Sequence, residues 1–201
     1  MLKKIIIVML VILALLGIWW FFFKEKNLQE MPKEKPVAVI QHTGAFNTSI
    51  KTVVSSYMNM KSAFVEADTA LIKMSTKKFL QANDSIQLDE LKKDSAAIFN
   101  AANQLISDIK GNAQAILDET DVTEMRNDFK MVSENLYPLL KTIGYKGETL
   151  YWQNCPMAFG ENKDASWLST TNEILNPYLG KKHPEYKATM LHCGETIDSL
   201  R

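Results

Sequence analysis

Five side chains near the C-terminal end of this chain could do chemistry together. Cys155 and Cys193 are the only cysteines, and the stretches around them read YWQNCPMAFG (151–160) and MLHCG (190–194). Met157 lies two residues after Cys155, and Met190 and His192 lie just before Cys193. Thiolate, thioether and imidazole are together the ligand set of Cu(I) and related soft metals such as Ag(I). If residues 190–193 are helical, Met190 and Cys193 stand one turn apart. If they are extended, Met190 and His192 share one face and Cys193 the other. The best four-ligand set is Cys155, Met157, Met190 and Cys193, with His192 or His183 as substitutes. The same two thiols could instead form a disulfide, which would stabilise the tail by about 3–4 kcal/mol in the chain-entropy picture. Both alternatives stand at this level.

The compartment depends on the other end of the chain. Lys3 and Lys4 precede an unbroken apolar run from Ile5 to Phe23. That is the length a helix needs to cross a bilayer. The run ends in Trp19-Trp20-Phe21-Phe22-Phe23, with no small-residue cleavage site and no following cysteine for lipidation. Trp19 and Trp20 suit the membrane–water interface. The expected arrangement is a cytoplasmic 1–4, a transmembrane signal anchor over 5–23 and a tether over 24–45 that carries Pro32, Pro36 and mixed charge. This places the rest of the chain in the periplasm, tied to the inner membrane.

Residues 46–147 read as four amphipathic helices. Val53, Tyr57, Met60 and Phe64 recur at steps of four, three and four, the helical period. Asp68 or Thr69 caps a second helix with Leu71, Met74 and Phe79, ending near Asn83-Asp84. A third starts after Ser85 with Leu91, Ile98, Leu105 and Ile109, and Gly111 would bend or interrupt it. A fourth follows Asp121, with Glu124 completing a capping box and Met125, Phe129, Val132, Leu136 and Leu140 on one face. Pro138 would kink it, and Gly144 or Gly147 would stop it. Met60 and Met125 belong to the core stripes, whereas Met58 and Met131 lie off them. His42 reads as an exposed polar spacer. The expected fold is mainly α: a four-helix antiparallel bundle preceded by the transmembrane helix. It continues into an irregular module over 148–201, with one or two short strands and a short helix around Ser166–Leu175.

The tail carries four ordered blocks: Tyr151 to Ala158 (YxxxCPMA), Trp167-Leu168-Ser169, Glu173 to Gly180 (acidic-Ile-x-Asn-Pro-Tyr-x-Gly) and Met190 to Gly194 (MxxCG). In this order they resemble a domain of unknown function of bacterial envelopes, over roughly residues 46–198. That domain stands alone behind a signal sequence or lipoprotein anchor, or is appended to periplasmic adaptors of copper and silver efflux pumps. The resemblance implies metal binding and an efflux adaptor or pump as partner. The chain departs from the pattern in an extra loop, Lys181 to Thr189, which carries His183, and in its transmembrane anchor.

Several function classes are excluded on composition and motif. Twenty-three basic and 23 acidic residues balance to zero net charge, with no electrostatic footprint for nucleic acid. No nucleophile elbow, HExxH, Walker loop or dinucleotide glycine pattern occurs, so no enzyme is expected. The two expectations carried forward are a Cu(I) or Ag(I) accessory of efflux or resistance, and a disulfide-stabilised protein–protein interaction module without metal.

Overall fold

The computed structural model describes residues 41–201, so the segments expected to be cytoplasmic (1–4) and transmembrane (5–23), and most of the expected tether, lie outside the described residues. Among the described residues no helix is long and apolar enough to cross a membrane. The chain runs α1 (Gly44–Glu66), α2 (Thr69–Asp84), a 3-10 helix (Leu88–Lys93), α3 (Ala96–Asp118), α4 (Val122–Thr142), β1 (Leu150–Cys155), β2 (Ala165–Ser169) and β3 (Glu195–Leu200). It is mainly helical, with a small antiparallel sheet at the C-terminal end.

Each of the four α-helices starts behind a side chain that accepts from one or two of its free amides. Thr43 accepts from Phe46, Asp68 from Leu71, Ser95 from Ile98, and Asp121 from both Thr123 and Glu124. α1 therefore begins at Gly44, inside the segment read as tether. The third helix does not begin after Ser85. Its expected first turns form the separate 3-10 helix, with Leu91 fully buried, and α3 restarts behind Ser95. Leu91 and Ile98 are seven residues apart, so the helical spacing survives a helix interruption that the pattern does not reveal. α3 runs unbroken through Gly111, and α4 through Pro138.

Short links fold successive helices back on one another, and a ring cluster closes the bundle. Tyr57 of α1 stacks on Phe129 of α4 at 5.3 Å, Phe64 meets Phe129 at 4.5 Å, and Phe79 of α2 approaches Tyr57 at 6.2 Å. Met60 and Met125 are fully buried, as their stripes required, but Met74 is 49% exposed. α2 instead turns Ile72, Thr76 and Phe79 inward.

The tail corrects the expectation most. Residues 165–169 are a strand, not a helix, and three strands form where one or two were expected, in the order β2-β1-β3. β2 is buried along its whole length, so no alternation of polar and apolar residues marks it. Its outer backbone edge is held by the bundle: Leu168 N–H donates to the Tyr57 hydroxyl at 3.2 Å, and Tyr57 hydrogen-bonds Ser133 of α4 at 2.7 Å. β3 is pinned to α4 from outside. Lys141 pairs with Asp198 at 3.0 Å, the Tyr137 hydroxyl donates to the same carboxylate, and Tyr137 stacks flat on Trp152 at 4.4 Å.

Candidate functional site

Cys155 ends β1, and Cys193 stands in the turn that leads into β3. The two strands run antiparallel, with Asn154 opposite Glu195. This register brings the cysteines together as a disulfide, with Cα atoms 5.7 Å apart, within the span such a bridge needs. Cys155 is fully buried and Cys193 half-buried. The residue after Cys193 has to be glycine. Gly194 has φ of 137°, and a Cβ there would sit 2.7 Å from the Asn154 carbonyl and 2.9 Å from the Trp167 ring.

The NPYLG block is the brace of this corner. Asn176 is fully buried. Its Oδ1 accepts the amides of Tyr178 and Leu179 at 2.8 and 3.0 Å, its Nδ2 donates to the Cys193 carbonyl at 2.9 Å, and its own amide donates to the Leu191 carbonyl at 2.9 Å. One amide side chain thus ties the 176–180 turn to the cysteine turn. Gly180 ends the block at φ 59°, wedged against the Phe64 and Val65 carbonyls at the end of α1. Lys181 N–H donates to that Val65 carbonyl at 2.8 Å.

The remaining sequence-predicted ligands lie in the same two turns, in different states. Met157 and Met190 are half-buried and pack on the core. His192 is exposed, with Nδ1 2.8 Å from the Ile174 carbonyl. A carbonyl only accepts, so that nitrogen carries the proton, and the Nε2 lone pair is left for other uses. His183 stands elsewhere: its Nδ1 accepts the amides of Glu185 and Tyr186 at 3.3 and 3.2 Å, and its ring stacks on Tyr186 at 4.9 Å. With both sulfurs bonded to each other, neither cysteine offers a thiolate in this oxidation state. Among the described residues no three His, Cys, Asp or Glu side chains gather into a metal-binding group. Of the two methionines off the apolar stripes, Met131 is 43% exposed and Met58 packs partly on the core.

The helices carry a further finding. Residues 53–148 match the model of a family described as protein of unknown function, DUF3347. The match covers just under half of the chain and stops before β1, so it contains most of the bundle and neither cysteine. The similarity supports a domain of unknown function; the tail blocks and the envelope setting lie beyond it. No curated protein and no solved structure gave a match.

The sequence reading missed three side chains, two of them beside the tail and one at the start of α1. Lys61 of α1 is 8% exposed, and its ammonium donates to Ser169 Oγ at 3.2 Å. Burial lowers its pKa to about 8, opposed by the nearby Glu173. Arg126 of α4 is 2% exposed, with Nε donating to the Pro177 carbonyl at 3.2 Å. Burial lowers its pKa to about 10, against the pull of Asp121, so it is charged at neutral pH. Spacing could have found both. Lys61 follows Tyr57 by four and precedes Phe64 by three, and Arg126 precedes Phe129 by three, so each basic residue sits on its helix's core stripe. The third is His42, read as a spacer: its side chain is only 5% exposed, packs on the Phe46 ring at 4.5 Å and lies 3.4 Å from Asp94.

Proposed function

We propose that residues 41–201 form a disulfide-locked, non-enzymatic binding module of the bacterial envelope, held at the periplasmic side of the inner membrane by residues 5–23. The Cys155–Cys193 bridge carries this reading. Such bridges persist in oxidising compartments outside the cytoplasm, where the apolar run at 5–23 would also place the domain. The bridge fastens β3 to the sheet, and the sheet is fastened to the bundle by Tyr57 and Asp198. These ties support the reading of a rigid platform.

A second reading, a Cu(I) or Ag(I) accessory that passes the ion to an efflux adaptor or pump, draws on His192. Imidazoles that bind metal usually donate their other N–H to a carbonyl or carboxylate, and His192 is held in that way by the Ile174 carbonyl. In this reading a dithiol reductant cleaves the bridge by thiol–disulfide exchange, itself becoming a disulfide, and the freed Cys155 and Cys193 join Met157, Met190 and His192.

One experiment separates the two. On the platform reading, protein isolated from the envelope fraction has a mass about 2 Da below the fully reduced value, one hydrogen lost per thiol. It carries no copper or silver, and Cu(I) titrated against a colorimetric chelator is not retained by the oxidised form. Protein isolated with free thiols and bound metal, the metal lost in the Cys155→Ser, Cys193→Ser double variant, would overturn the platform reading and establish the second.

A further inference from the structure

Beside the NPYLG turn, and apart from the cysteine corner, lies a cavity of about 190 Å³. Arg126 and Thr123 of α4 line it, with Phe159, Tyr178, His183 and Tyr186 from the tail. Tyr178 and Phe159 meet at 5.4 Å, and His183 and Tyr186 stack, so much of the wall is aromatic face.

Arg126 is the unusual member. A guanidinium presents five N–H donors in a fixed fork, and a buried charged group without partners costs several kcal/mol. Here Nε is used by Pro177, while Nη2 is buried and has no hydrogen-bond partner. Among the described residues no carboxylate lies within ion-pair distance of it. The nearby acid, Asp121, spends Oδ1 on the amides of Thr123 and Glu124. A second donor is available at the wall. Because His183 Nδ1 accepts two amides, a neutral ring carries its proton on Nε2.

We propose that this cavity binds a small monocarboxylate with a flat apolar body, its carboxylate on Arg126 and its body against Tyr178, Tyr186 and Phe159. A carboxylate matches the planar fork of a guanidinium as a point anion does not. The aromatic wall asks for an apolar partner beyond the charge. Size and charge exclude larger polyanions: the cavity is small, Arg126 is its one permanent cation, and Glu185 at the wall opposes a second negative charge.

The test is a titration of the purified, oxidised full-length protein with benzoate as probe, followed by the Arg126 Nε–H and nearby amide resonances. Benzoate should give saturable shifts in the millimolar range. Inorganic phosphate and the uncharged benzyl alcohol should each bind at least about tenfold more weakly, a difference of about 1.4 kcal/mol. Tyr186→Ala removes an aromatic face from a half-exposed loop and should weaken benzoate about tenfold with little change in melting temperature. Arg126→Lys keeps the charge without the fork and should lose the preference for benzoate over phosphate. No saturable shift with benzoate, equal binding of phosphate or benzyl alcohol, or undiminished binding in Tyr186→Ala would each overturn the proposal.

Discussion

Lys61 shows how a single residue can give this protein a pH dependence. Its ammonium is buried against the tail, with Ser169 as its hydrogen-bond partner. Burial disfavours the charged form, which lowers the folded-state pKa from 10.5 to about 8. The unfolded chain therefore holds this proton more tightly than the folded one. Stability is reduced in full below the folded pKa and recovers as pH rises from about 8 towards 10.5. Tyr57 acts in the opposite sense at higher pH, because burial raises its pKa above the usual 10.0 and the unfolded tyrosine ionises first. Between pH 8 and 9 the lysine sets the slope, and nearer pH 10 Tyr57, Tyr178 and Arg126 titrate as well. Denaturant unfolding should show stability rising by about 1 kcal/mol from pH 8 to 9, and Lys61→Met should flatten the rise. A wild-type curve that is flat or falls there would show that Lys61 is not buried as described.

The elements show a similar division between local rules and tertiary ones. Asp68 and Asp121 can be read from sequence as helix starts because capping depends on a few neighbouring residues. The face of α4 is legible too, since one apolar stripe meets one core. What escapes is set by distant partners. β2 is buried along its whole length, on both faces, so its period vanishes. β3 is mostly exposed, and Ile197 and Leu200, its two apolar residues, stand three apart, so Glu195–Leu200 shows no two-residue alternation although it is a strand. The disulfide is an open alternative in sequence because the register that brings Cys155 beside Cys193 comes from β1 and β3 pairing across 38 residues. The Arg126 cavity needs α4, the 156–160 turn and the 181–189 loop in place at once. Gly111 offers a direct test of the helix where sequence expected a break. It is exposed inside continuous α3, and a Cβ there would meet nothing within 4 Å. Gly111→Ala should stabilise the domain by about 0.5–1 kcal/mol by restricting the unfolded chain and favouring helix. A loss of stability would mean that α3 does pause at that residue.

At the scale of the whole molecule, the bundle and the sheet depend on each other unequally. The bundle has its own ring core of Tyr57, Phe64, Phe79 and Phe129, whereas β3 exposes most of its surface and is held by edge hydrogen bonds, the Asp198 contacts and the bridge. Closing a loop over the 38-residue separation stabilises the fold by about 4 kcal/mol in the chain-entropy picture. Engineered losses of native bridges commonly cost about 2–4 kcal/mol. For a domain of this size each kcal/mol moves the melting temperature by about 2–4 °C. The Cys155→Ala, Cys193→Ala double variant should therefore melt about 5–15 °C lower. The damage should also be local. β3 should lose amide protection first, because freeing Cys193 removes its covalent tie at the end opposite Asp198, while α1 to α4 keep near-native protection until global unfolding. Hydrogen exchange read by segment separates this from a uniform loss. If α4 and β3 lose protection together, the sheet is part of the bundle's cooperative core and the bridge is not what holds the platform. If β3 alone opens, the bridge acts at the cysteine corner, and reduction would release the same turn that carries Met190 and His192.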